Sequence, residues 1–129
     1  MREHRHSFLM RGVLALYVLA AVVMLLAAFG PLKGVEGPPG PLRALFAIAA
    51  AACAAIAMGS YRTAPWARKL ALGLHALVTL AAAAGLISRL AGAPLFAGDI
   101  SELIAKTLVH ALALWLWSSR WMARQLAPC

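Results

Sequence analysis

Four ionisable side chains interrupt stretches of this chain that are otherwise apolar: His75, Glu102, Lys106 and His110. Tyr17, Cys53 and Thr79 place a hydroxyl or thiol in similar surroundings. An imidazole among apolar residues can join helices by hydrogen bonds, pass protons, or ligate a haem or metal. Glu102, Lys106 and His110 follow one another at steps of four, so they share one face of a helix. Glu placed four residues before Lys is the favourable order for an ion pair. That spacing reads as a local pair that makes Lys106 tolerable, or as an outer polar stripe of Glu102 and Lys106 lining a cavity or a partner.

Counted at ~1.5 Å per residue from the expected cytoplasmic ends, Tyr17, Cys53, His75 and His110 lie about 8–12 Å deep. They form a polar intramembrane layer with one group on each helix. Buried polar groups need partners, so a hydrogen-bonded layer is the expectation. The alternative is haem or metal ligation by His75 and His110, since a haem needs only axial ligands and an apolar slot. Two histidines without a further ligand motif assign no metal site.

Patterns of catalysis are absent from the sequence. It has no HExxH, GxSxG, P-loop or CxxC. Ser118-Ser119 marks the end of a span rather than a nucleophile. The chain has the size and helix number of the small multidrug resistance family, whose transport rests on a carboxylate in the first span. It departs from that family in having no such residue. We therefore expect no enzyme and no resident cofactor.

Composition sets the environment of these groups. Of 129 residues, 64% are hydrophobic and 12% charged, against about half and a quarter in soluble domains. Mean hydropathy is +0.84. This excludes a disordered chain, a collagen and an ordinary soluble enzyme. The net charge of +8 would suit nucleic acid in a soluble protein. Here it suits topogenic residues and anionic lipid, and no nucleic-acid motif accompanies it. Two cysteines make no disulfide framework. The excess of Arg over Lys and the abundance of Ala fit a GC-rich bacterial genome.

Apolar runs, broken by Gly/Pro-rich segments, position the polar groups. The sequence predicts one all-α membrane domain over 1–129, with helices near 8–30, 41–61, 65–91 and 100–126. Each run approaches the ~20 residues that cross ~30 Å of hydrocarbon. Gly30-Pro31 opens the loop GPLKGVEGPPGPLR, Pro65 opens the third helix, and AGAPLFAGD precedes the fourth. Asp99 and Glu102 have capping-box spacing. The first run is longer than a signal-peptide core and is expected to stay as a helix. Short loops imply an up-down-up-down antiparallel four-helix bundle.

Eight basic residues flank the runs on one side (Arg2, Arg5, Arg11, Arg62, Arg68, Lys69, Arg120 and Arg124) and three on the other (Lys33, Arg43 and Arg89). The positive-inside rule then places both termini in the cytoplasm of, we expect, a bacterial inner membrane. Tyr61, Trp66, Trp117 and Trp121, with Arg68, Lys69, Arg120 and Arg124, are the expected interfacial anchors. A fourth helix continuous to Leu126 would exceed the membrane core, so residues 118–126 are expected to run along the interface.

Small residues suit close helix contact in lipid. Ala47, Ala51, Ala55 and Gly59 recur every four residues, as do Ala81 and Gly85; Ala20, Ala21, Ala27 and Ala28 add a patch in the first run. The functional expectation is a non-enzymatic accessory or structural subunit of a membrane complex, or a homo-oligomer. A small oligomeric transporter or channel is the alternative, and a haem- or metal-binding electron carrier through His75 and His110 is the second. The expected partners are the lipid bilayer, other membrane subunits or further copies, and no nucleic acid.

Overall fold

The computed structural model describes residues 7–29, 40–93 and 99–126. Its elements are α1 (Phe8–Phe29), α2 (Gly40–Tyr61), α3 (Pro65–Leu90), α4 (Ile100–Ser118) and α5 (Arg120–Gln125). There is no strand among the described residues. The first four helices are long and apolar enough to cross a membrane. At 1.5 Å per residue they measure roughly 28–39 Å. Arg2, Arg5, Lys33, Glu36, the first three residues of the GPPGP run, residues 94–98 and the last three residues lie outside the described segments.

The chain divides into two compact units, residues 7–67 with Gln125 and Leu126, and residues 68–124. In the first, α1 packs against α2. Met10, Tyr17, Ala21 and Ala28 form the buried face of α1. Their steps of seven and four residues keep one side of the helix turned inward. The buried residues of α2 are Ala50, Cys53, Ile56, Ala57, Gly59 and Ser60. Alanine, the strongest helix former, dominates α2, and Pro41 sits in its first turn where no N–H is missed.

Two backbone hydrogen bonds close the C-terminus of α2. The Ala64 N–H donates to the Gly59 carbonyl at 2.8 Å and the Thr63 N–H to the Ser60 carbonyl at 3.1 Å. This is the Schellman arrangement, and it requires a left-handed residue at Thr63, where φ is 54°. A β-branched residue there carries about 1–2 kcal/mol of strain that glycine would not. α3 ends the same way with glycine in that place. Gly92 has φ 76°, and the Gly92 and Ala93 N–H groups donate to the Arg89 and Ser88 carbonyls.

Asp99 stands at the N-cap of α4 in extended backbone but makes no side-chain cap. Glu102 instead pairs with Lys106 one turn further on. The fourth helix is not continuous to Leu126. It stops at Ser118, and Ser119 is extended at ψ 151°. The serine hydroxyls account for the break. Ser118 Oγ donates to the Trp115 carbonyl and Ser119 Oγ to the Leu116 carbonyl. Ser119 Oγ also accepts from the Met122 N–H at 3.2 Å, which is the N-cap bond of α5. Met122 and Leu126 are buried, so this tail packs against protein as well as presenting Arg120 and Arg124 outward.

Candidate functional site

The second unit brings His75 of α3 and His110 of α4 together. Their Nδ1 atoms are 2.8 Å apart, with ring centroids 5.1 Å apart and planes tilted by 41°. One Nδ1 must carry a proton and the other a lone pair for this contact to be a hydrogen bond. His75 is buried and His110 half-buried. Along α4, His110 stands about 15 Å from Ile100 and about 12 Å from Ser118.

Arg68 fixes the register of this hairpin. Its Nε donates to the Trp117 carbonyl at 2.9 Å and its Nη2 to the Ser118 carbonyl at 3.0 Å. These carbonyls belong to the last turn of α4, which no following helical turn can satisfy. A guanidinium suits them because its donors lie in a fixed fork and its charge complements the helix terminus. Seven residues on from Arg68 in α3 is His75, and seven back from Trp117 in α4 is His110. Two turns on each antiparallel helix thus separate the two polar contacts, and Ala82 and Leu103, both buried, continue the register.

Beyond the dyad, Lys106 pairs with Glu102 on α4, and both side chains are about half exposed, at 54% and 52%. Thr79, one turn from His75, has a buried hydroxyl without a hydrogen-bond partner among the described residues. So does Arg89 at Nε. Thr107 Oγ1 is satisfied by the Leu103 carbonyl.

Of the four residues of the expected polar layer, the described contacts join His75 to His110. Tyr17 and Cys53 are buried in the first unit. Tyr61 and Trp66 are outward-facing, as are Lys69, Arg120 and Arg124, while Arg68 and Trp121 are half-buried. Trp117, expected among the interfacial anchors, is 1% exposed and is a packing residue; Trp115 is the outward indole of α4. In the small-residue series, Gly59 and Gly85 are buried, Ala47 and Ala55 half-buried, and Ala51 and Ala81 exposed. The buried face of α2 is therefore rotated from the line of alanines toward Ala50, Cys53 and Ala57.

Two trans ligands of one metal ion stand about 4 Å apart, twice a metal–nitrogen bond of ~2.0 Å. Rings in hydrogen-bond contact leave no room for a porphyrin between them, so the dyad does not fit a bis-histidine haem. No cluster of three or more His, Cys, Asp or Glu occurs among the described residues.

Neither the role of Arg68 nor the close approach at Gly59 was evident from spacing. Arg68 is one of several basic residues beside a turn, and nothing local marks it as the one that reaches α4. No family model, curated protein or solved structure matches this chain.

Proposed function

We propose that this protein is a non-enzymatic subunit of a membrane assembly, formed with other membrane proteins or with copies of itself. The observation that carries this reading is the outward side of α2. Ala44, Ala51 and Ala54 are exposed there, and Ala47 and Ala55 are half-buried. In lipid, apolar side chains have little preference for one another, and helices associate where small residues let backbones approach. The outward alanines stand among the exposed Leu45, Ile48 and Met58, and leave notches between these bulky side chains into which another helix can pack.

Cysteine cross-linking tests this. With Cys53 and Cys129 replaced by serine, Ala51→Cys should form disulfide-linked species in native membranes. Leu19→Cys, on an exposed and bulky face of α1, should not. Equal cross-linking at both positions, or none at Ala51 together with a lone monomer in mild detergent, removes the reading.

The proposed setting is a bacterial cytoplasmic membrane with four antiparallel spans and both ends inside. The supporting argument is the flanking basic residues, eight against three. Reporter fusions after residues 35, 63, 96 and 129 are expected to read out, in, out, in. Two successive fusions on one side would refute this order.

A further inference from the structure

The end of the α3–α4 hairpin that holds Arg68 gathers positive charge without an answering carboxylate. Lys69 follows Arg68 in α3, and Arg120 and Arg124 stand one turn apart on α5. Lys69, Arg120 and Arg124 are exposed, and Arg68 is half-buried. The groups that hold Arg68 are two neutral carbonyls of α4, so its charge is not cancelled. The acids among the described residues are Asp99 and Glu102, at the opposite end of α4, where Glu102 engages Lys106. The side chains of Arg120 and Arg124 are turned outward together. Met122 lies between them in sequence, points to the other side of α5 and is buried.

An apolar ridge leads to this end. Ile104, Leu108, Leu112 and Trp115 follow at steps of four, four and three, which keeps them on one face of α4. All four are exposed, Trp115 by 67%. Leu103 and Trp117 occupy the opposite face and are buried. At ~1.5 Å per residue the ridge is about 16 Å long, close to half of a ~30 Å hydrocarbon core. Indoles favour the border between hydrocarbon and headgroups, and Trp115 stands at the charged end of the ridge.

Apolar ridge, indole and clustered guanidinium groups occur in the order of the parts of one anionic phospholipid: acyl chain, ester region and phosphate. A guanidinium can grip a phosphate through two parallel hydrogen bonds. A soluble anion would use the cations and leave the ridge idle. So would a nucleic acid, for which an apolar face entering a span offers nothing.

We propose that the junction of α4 and α5 is a binding site for one anionic phospholipid. Arg120 and Arg124 hold the headgroup, Arg68 and Lys69 add to the field, and an acyl chain lies along residues 104–115. This goes beyond the subunit reading, and it requires neither that reading nor a particular side of the membrane.

The test uses the full chain in a non-ionic detergent, titrated with phosphatidylglycerol or with phosphatidylcholine of the same acyl chains. Native mass spectrometry counts the bound lipids. One phosphatidylglycerol should bind about thirtyfold more tightly than phosphatidylcholine, the margin that two arginines supply at roughly a factor of five each. Arg120→Gln with Arg124→Gln should remove that margin, and Arg120→Lys with Arg124→Lys should keep most of it. Equal binding of the two lipids, or an unchanged margin in the glutamine variant, overturns the site. Displacement by excess inorganic phosphate, or by a short single-stranded DNA, overturns the lipid as its ligand. In bilayers, phosphatidylglycerol brominated on its acyl chain should quench the fluorescence of Trp115, read as the difference from Trp115→Phe, more than brominated phosphatidylcholine does. Equal quenching overturns the placement of the chain.

Discussion

Gly59→Val is expected to destabilise the protein by about 3 kcal/mol or more, the upper range for overpacking a closely fitted site. A Cβ at residue 59 would lie 2.7 Å from Trp66 Cη2 and 2.8 Å from Ala67 Cβ. The indole can move, but Ala67 Cβ is fixed to the backbone of α3's first turn. Gly59→Ala should cost less, because helix propensity returns up to ~1 kcal/mol of the clash. Combining Gly59→Ala with Ala67→Gly should recover much of the loss, since the methyl group has only changed helices. Trp66→Leu should recover little. Unfolding in mixed micelles with a denaturing detergent measures all four. A Gly59→Val protein as stable as the parent would show that the two segments do not approach this closely.

The second large effect belongs to Arg68. Arg68→Met keeps the apolar stem and removes both bonds to the end of α4. Hydrogen bonds to charged groups contribute about 1.5–3 kcal/mol each. One of these two is solvent-exposed, so a loss of about 2–3 kcal/mol is expected. Arg68→Lys should lose about half of that, because an ammonium is a point donor rather than a fork. Hydrogen exchange separates this from a general loss of packing. Amides of α5 and the last turn of α4 should lose protection first in Arg68→Met. Uniform loss along α4, or none, would contradict the capping role.

Much of this architecture is legible in the sequence because lipid-compatible helices announce themselves by length and by their breaks. Phe29 precedes Gly30-Pro31, and Pro65 opens α3, so these boundaries fall where local chemistry puts them. The fourth helix is harder. Apolar periodicity runs through Trp117 to Leu126, whereas two adjacent serines, each able to bond its own backbone, divide it at Ser119. The polar site is legible in its residues but not in its pairing. His75 and His110 stand out as imidazoles in apolar runs. Their contact depends on the register that Arg68 and the shared packing impose, and register is a tertiary property. The buried face of α2 is equally illegible, because a helix with alanine on every side gives no periodic signal. The inward position of Trp117 follows from its own neighbours rather than from the preference of indoles for interfaces.

The turn between α2 and α3 has a consequence for how the chain is made. Only Arg62, Thr63 and Ala64 separate the two helices, and three residues reach at most ~10 Å even when extended. Two carbonyls of α2 are already committed to Thr63 and Ala64, which shortens the tether further. If α2 enters a bilayer, α3 is drawn to the same surface with no slack to wait in the aqueous phase. The pair then partitions as a single cargo, with Arg62, Arg68 and Lys69 at the end that the two helices share. Lengthening this tether would turn one concerted insertion into two successive ones.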